Sequence, residues 1–186
     1  MFLLINACVR KNSRTRRLAD FLLNQLDKKV KEIDLFQIDF PKTDEDFIIH
    51  RTELIEKGLY SDSLFDMARE FASAETIVIA APFWDLSFPA ALKQYLEHIC
   101  IQGITFHYDE NGVPIGLCKA EKLYYVTTAG GFIHSDQFGF GYIKELAQTL
   151  FGIKDCISIK AEGLDLYGAN EEEIMKDAME GLRNCL

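Results

Sequence analysis

Apolar and polar residues follow one another along the chain with two different periods, one typical of strands and one typical of helices. Strands are predicted where apolar residues run continuously or alternate with polar ones, over residues 2–7, 30–35, 76–81, 123–128 and 156–161. Helical spacing of apolar residues occurs over 14–28, near 64–71, over 89–100, at about 139–151 and after Asn170. Residues 40–60 are interpreted as a polar stretch between these elements. Strand and helix therefore alternate, which predicts an α/β fold with a parallel sheet.

The character of the strands indicates their order. The first and third strands are apolar throughout, as expected of parallel strands covered on both faces, whereas the second and fifth alternate as edge strands do. This predicts a three-layer sandwich around a five-stranded parallel sheet in the flavodoxin-like order 2-1-3-4-5, with a ligand crevice at the carboxyl ends of strands one and three. Residues 104–116 are extra to this plan, and Asn111-Gly112 indicates a hairpin turn there, so a small flap is expected.

Length and composition narrow the class of protein. The 186 residues, 48% of them apolar, predict a single domain over residues 1–186 with a real core. The net charge of −9 argues against a nucleic acid or an anionic membrane as the main partner. The five cysteines form no CxxC pair and no zinc-type spacing, so reduced thiols and a cytoplasmic location are expected, without a metal.

The loop after the first strand carries an unusual run of positive charge. Five basic residues fall within eight positions and no acid lies among them: Arg10, Lys11, Arg14, Arg16 and Arg17. Ser13 and Thr15 lie at the first turn of the following helix, where free N–H groups and the helix dipole favour a phosphate. The alternative is an ordinary capped helix with a solvated basic face.

Two further loops follow neighbouring strands. Pro82, Phe83, Trp84 and the residues up to Pro89 could wall a planar ligand, or could plug the gap between loop and helix. The glycines in Thr128-Ala129-Gly130-Gly131 allow a ligand to approach the backbone, and His134 follows them as a titratable donor or as a plain surface histidine. A phosphate cradle, an aromatic wall and a glycine turn around one crevice together predict a flavin mononucleotide (FMN) site.

The same motifs resemble those of the FMN-dependent NAD(P)H azoreductases and quinone reductases, and they do so in order along nearly the whole chain. The matching segments are residues 13–15, 81–84 with 89–95, the flap from 103 to 112, Gly130-Gly131 with His134, and 152–153 leading to 161–163. The resemblance implies that residues 13–15 hold the FMN phosphate and that 83–86 and 128–131 line the isoalloxazine ring. It also implies homodimers with active sites at the subunit interface.

The cofactor-binding residues expected on these grounds are Ser13, Arg14, Thr15, Pro82, Phe83, Trp84, Asp85, Leu86, Thr128, Ala129, Gly130 and Gly131. His134 is the candidate for a catalytic role. Azoreductases commonly carry Asn where this chain has Asp85, which either faces the flavin or caps the helix that begins near Phe88.

The predicted activity is the two-electron reduction of a quinone, and of azo compounds, by NADH or NADPH in a ping-pong hydride transfer. The alternatives are an electron-carrying flavodoxin and a redox-responsive FMN-binding protein without turnover. The flap at 104–116 and the long excursion at 36–62 favour the enzyme, because they are expected to cover the flavin edge that a carrier must expose.

Overall fold

A computed structural model describes residues 1–26 and 28–183. Its strands are β1 (Phe2–Asn6), β2 (Val30–Asp34), β3 (Thr76–Ala80), β4 (Phe106–Tyr108), β5 (Pro114–Gly116), β6 (Lys122–Thr128) and β7 (Asp155–Ala161). Its helices are α1 (Arg14–Leu26), α2 (Glu45–Glu56), α3 (Asp66–Ser73), α4 (Ala90–Ile99), α5 (Phe140–Leu146) and α6 (Glu171–Arg183).

The main sheet has five parallel strands in the order β2-β1-β3-β6-β7. This confirms the predicted order 2-1-3-4-5, since β6 and β7 are the fourth and fifth strands of the sequence pattern. The apolar strands β1 and β3 lie inside the sheet, and the alternating strands β2 and β7 form its edges. The pattern of burial therefore follows from the pattern of residues.

The two faces of the sheet carry separate halves of the core. On one face, Leu4 and Val78 pack with Leu18 and Leu22 of α1 and with Met175 of α6. On the other face, residues of α3, α4 and α5 cover the sheet, among them Phe71, Tyr95 and Ile143. Each half removes a large apolar area from water, which is the main stabilising contribution to such a fold.

The excursion between β2 and α3 contains a helix that the sequence did not indicate. The interpretation of residues 40–60 as a polar stretch between elements missed this helix, because α2 begins after Asp44, whose side chain accepts a hydrogen bond from the N–H of Phe47. Only Leu54 of this helix is fully buried, so the apolar stripe is too narrow to detect. The excursion packs on α4, where the rings of Phe40 and Phe47 contact buried His98.

The predicted hairpin is formed by β4 and β5, and its loop contains Gly112 at φ +78°. Gly116 lies against the backbone just before β7, since a Cβ atom added to it would lie 2.2 Å from the nitrogen of Gly152. The N–H of Lys119 donates to the carbonyl of Ala72, close to the start of β3. The hairpin therefore lies at the amino ends of the strands. The expectation that it covers the crevice is wrong for this chain.

The last helix begins as the sequence predicts. The Asn170 side-chain oxygen accepts a hydrogen bond from the N–H of Glu173 at 3.3 Å, and the Asn170 side-chain nitrogen donates one to the Glu173 carboxylate at 3.3 Å. The first of these bonds satisfies one of the N–H groups that a helix start leaves free. Within the described ranges, no helix is both long enough and apolar enough to cross a membrane.

Candidate functional site

A cleft opens at the carboxyl ends of β1, β3 and β6, where the three loops singled out in the sequence come together. It is lined by Val9, Arg10, Asn12, Ser13, Arg14, Thr15, Pro82, Phe83, Trp84, Thr128, Gly130 and Asp165. The basic loop after β1, the aromatic loop after β3 (residues 82–89) and the glycine turn after β6 (residues 128–131) are therefore walls of one site. Parallel sheets of this order bind ligands at this position.

The first turn of α1 forms one end of the cleft. Ser13 accepts a hydrogen bond from the N–H of Arg16 at 3.2 Å, so its side chain caps the helix. The hydroxyl of Thr15 lies 2.6 Å from that of Thr128, and both side chains are buried. The N–H groups of Arg14 and Thr15 have no acceptor among the described residues. Two free N–H groups at the start of a helix suit an anionic ligand.

The arginines of the basic run are largely neutralised by carboxylates. Their ion pairs are Arg14 with Asp165 at 2.8 Å, Arg16 with Glu32 at 2.5 Å and Arg17 with Glu172 at 2.6 Å. The hydrogen bond from Arg14 holds the pKa of Asp165 below its ordinary value. Within residues 1–26 and 28–183, Arg10 and Lys11 form no ion pair, and Arg10 alone of these two lines the cleft. Of the alternative interpretation, the capped helix is present, but its arginines are ion-paired rather than solvated.

The aromatic loop contains a strained turn. Trp84 and Ser87 exchange backbone hydrogen bonds of 3.0 and 2.8 Å, and the two residues between them both have left-handed backbones, with φ +50° at Asp85 and +66° at Leu86. Glycine and asparagine are usual in such turns, so a leucine there is a genuine outlier. Backbone strain of this kind is concentrated at functional sites.

Asp85 and Leu86 are exposed, and neither is among the residues that line the cleft. The alternative that Asp85 caps the next helix is wrong. The residue before α4 is Pro89, and no side chain caps that helix.

The glycine turn is shaped by a neighbouring loop. The N–H of Asp165 donates to the carbonyl of Gly130 at 2.9 Å, and a Cβ atom added to Gly130 would lie 2.3 Å from a carboxylate oxygen of Asp165. A side chain at position 130 would therefore displace the carboxylate of Asp165. Ala129 is buried, and a Cβ atom added to Gly131 would meet no neighbour. Neither residue is among those that line the cleft. His134 is exposed and lies outside the cleft.

Four residues of the cleft were not anticipated as site residues: Val9, Arg10, Asn12 and Asp165. Three of them belong to the loop already marked by its basic run, so the loop itself gave the signal. Asp165 gave none, because its partner Arg14 is 151 positions away in the sequence.

The chain belongs to the flavodoxin-like fold family, whose sequence profile matches residues 2–186. It is 32% identical over 189 residues to FMN-dependent NADH:quinone oxidoreductase 2 of Clostridium acetobutylicum, which covers 97% of this chain and 94% of that protein. It is 33% identical over 179 residues to the FMN-dependent NADH:quinone oxidoreductase of Coprothermobacter proteolyticus, with 91% and 88% covered. The resemblance read from the motifs is confirmed.

Solved structures show the same fold. An azoreductase from Bacillus anthracis str. Sterne matches with a TM-score of 0.84 at 22% identity, covering 99% of this chain and 97% of that one. An FMN-dependent NADH-azoreductase from Bacillus anthracis str. Ames Ancestor, solved in complex with FMN, gives 0.82 at 22% identity, covering 99% and 96%.

Proposed function

We propose that this chain is an FMN-dependent oxidoreductase that reduces quinones with NADH. The observation that carries the proposal is the cleft at the carboxyl ends of β1, β3 and β6, which combines free N–H groups at a helix start with an aromatic wall. The relatives that share about a third of its residues are named for this reaction. Azo compounds are proposed as further acceptors because the similar solved structures are named azoreductases.

The residues of the cleft fit FMN. The phosphate would be held by the N–H groups of Arg14 and Thr15, by the hydroxyls of Ser13 and Thr15, and by Arg10, which forms no ion pair within the described residues. Hydrogen bonds to a charged group are worth about 1.5–3 kcal/mol each. The ring would lie against the segments 82–86 and 128–131, where Phe83 and Trp84 offer apolar surface.

When bound, FMN supplies the two-electron chemistry, and the protein contributes binding, orientation and electrostatics. Phe83 and Trp84 would orient a planar ring and exclude water from one of its sides. Thr128 and Gly130, which also line the cleft, would bring backbone groups close to the ring. His134 is proposed to donate a ring N–H to the acceptor as negative charge develops there. It lies on an exposed segment that follows the glycine turn.

A homodimer is also proposed, because the rim of the cleft is unusually apolar for an exposed surface. The exposed side chains of this rim, with their exposed fractions, are Trp84 (38%), Leu86 (68%), Phe132 (61%) and Phe138 (56%). A second copy would cover them and complete the site. Sedimentation at several concentrations tests this, with Phe138→Asp expected to favour the monomer. Leu59→Asp is the control, since Leu59 is exposed elsewhere on the chain.

The decisive experiment is the visible spectrum of the purified protein, followed by NADH oxidation with and without a quinone. We expect bound FMN, bleaching by NADH and steady turnover when the quinone is present. A colourless protein that takes up no FMN would overturn the proposal.

The cytoplasm is proposed as the compartment, in keeping with unpaired Cys8, Cys100, Cys118 and Cys156.

The competing function is that of an electron carrier, and one observation favours it. Neither the β4–β5 hairpin nor the excursion packed on α4 covers the cleft, so the monomer leaves the site open. The same assay separates the two functions. A carrier would exchange electrons with a protein partner and would show no steady NADH oxidation with quinone alone.

A further inference from the structure

Arg14 and Asp165 join two walls of the cleft. The guanidinium donates from Nη1 to one carboxylate oxygen of Asp165 at 2.8 Å and from Nη2 to the other at 3.2 Å. Arg14 is the first residue of α1, and Asp165 lies in the loop between β7 and α6. This two-point arrangement fixes both distance and orientation between the segments.

The same carboxylate also packs on the third wall. Its oxygen occupies the space that a side chain at position 130 would need, and the N–H of Asp165 donates to the carbonyl of Gly130. Asp165 therefore contacts the start of α1 and the turn after β6 at once. All three residues line the cleft, so the pair ties its rim together.

The charge of Arg14 is already compensated. Besides Asp165, it donates to Glu171 at 3.4 Å, so two carboxylates face one guanidinium. A cation that is paired in this way has little net attraction left for a phosphate dianion. Arg10 also lines the cleft, and its charge contributes to the lowered pKa of Asp165, but it forms no ion pair in the part of the chain that the structure describes.

We infer that Arg14 is a positioning residue, and that Arg14 and Asp165 act as one clasp that holds the loop of residues 163–169 against the cleft and retains the flavin. The inference rests on the proposed FMN site. It assigns phosphate recognition to the N–H groups, the hydroxyls and Arg10, and it removes the Arg14 side chain from that set. The clasp acts on flavins with and without a phosphate alike.

The test compares Arg14→Met, Asp165→Asn and the double variant for binding of FMN and of riboflavin. Each single change is expected to weaken riboflavin, which has no phosphate, about threefold to tenfold, because it opens the same clasp. The double variant keeps the net charge of the cleft, so it is expected to weaken FMN by the same factor as riboflavin. For riboflavin, the double variant should match the single ones, since two residues that act as a unit are not additive. Asn preserves the size of the side chain over Gly130.

The matched control is the pair of Arg17 and Glu172. It joins α1 to α6 rather than to the loop of residues 163–169, with a similar two-point geometry of 2.8 and 2.6 Å, and it does not line the cleft. Arg17→Met and Glu172→Gln should leave both flavin affinities unchanged. If they weaken binding as much as the clasp variants do, the effect is one of general stability and the inference is overturned.

A phosphate-binding role for the Arg14 side chain predicts a different result. Arg14→Met would then weaken FMN and spare riboflavin, and Asp165→Asn would tighten FMN by releasing the arginine.

Hydrogen exchange of flavin-free protein supplies a second readout. The clasp predicts faster exchange of residues 163–169 in both single variants and in the double variant, to the same extent. Unchanged exchange there overturns it. A wild type that binds no FMN overturns the proposed function, and the exchange experiment still decides on the clasp.

Discussion

Thr15 and Thr128 share a buried hydrogen bond of 2.6 Å between their hydroxyl groups. One residue lies in the first turn of α1 and the other ends β6, so the bond connects the helix to the sheet at the floor of the cleft. Two hydroxyls carry two hydrogens, and the bond between them uses one. The other hydrogen remains available to an acceptor in the cleft, such as a phosphate oxygen.

The double change Ser13→Ala with Thr15→Ala tests this phosphate site. It removes two donors to a charged group, each worth about 1.5–3 kcal/mol. FMN affinity is expected to fall at least about tenfold while riboflavin affinity barely changes. Fluorescence titration with both flavins measures the difference, and equal loss for both would place the phosphate elsewhere.

Two controls separate recognition from folding in that experiment. Ser13 also caps α1, and Ser13→Gly removes the hydroxyl at little cost to the cap. Thr52→Ala removes a hydroxyl that bonds within α2 and lies outside the cleft, so it should leave flavin binding unchanged.

His134→Ala tests the proposed donor. Turnover should fall at least about tenfold while FMN affinity stays the same, because the imidazole would act on the acceptor rather than on the cofactor. Steady-state kinetics with NADH and two different quinones give the measurement. His107→Ala is the control, since His107 is an exposed histidine in the hairpin. Unchanged rates in both variants would make His134 a plain surface residue.

Asp85→Asn tests the charge at the strained turn. The proposed function places the ring against residues 82–86, and a carboxylate there would oppose the negative charge that arrives with the electrons. The variant should therefore have a more positive flavin midpoint potential. Asn tolerates the left-handed backbone that the structure has at position 85, so the turn should persist. Potentiometry on wild type and variant checks this. Glu110→Gln in the hairpin loop also removes one negative charge, but far from the cleft, so it should leave the potential unchanged.

His98 predicts how stability depends on pH. Burial, with Arg51 nearby, holds the pKa of His98 below its ordinary value, and its Nε2 has no hydrogen-bond partner among the described residues. The unfolded chain therefore binds a proton at a pH at which the folded chain does not. The stability contributed by buried, neutral His98 is fully present above about pH 6.5, and it is lost as the pH falls toward the pKa of the folded state.

Urea unfolding of wild type and His98→Phe between pH 5 and 8 measures this contribution. Phe keeps the ring between Phe40 and Phe47 but does not titrate. The difference in free energy of unfolding between the two proteins should change by at most about 1.4 kcal/mol for each pH unit. Above about pH 6.5 this difference should no longer depend on pH. His50→Gln, on the exposed side of α2, should follow the wild type.

The sheet could be predicted from the sequence because its strands differ so clearly in burial. Residues 2–7 and 76–81 are apolar on both faces, and only an interior position in a parallel sheet suits them. The helix α2 could not be predicted in the same way. It buries one residue fully, Leu54, and exposes Ile48 and Ile49, so no apolar face marks it.

The site was predictable as three loops and not as a set of interactions. Ser13, Phe83 and Gly130 follow the carboxyl ends of adjacent strands, so the strand order alone predicts that they meet in one cleft, as they do. The partners of the arginines depend on side chains far along the chain, such as Glu32 for Arg16 and Asp165 for Arg14. Nor does Asp85-Leu86 carry the glycine or asparagine that usually signals a tight two-residue turn.

The hairpin of β4 and β5 lies at the end of the sheet opposite the cleft, and its loop around Gly112 meets open space. A peptide tag, a fluorophore or a whole second domain can therefore be inserted at this loop without touching the walls of the cleft. Changes in loop length at this position are likewise expected to leave the walls of the cleft unchanged. Evolution can lengthen or shorten the chain here while the cleft stays the same, and an engineer can do likewise.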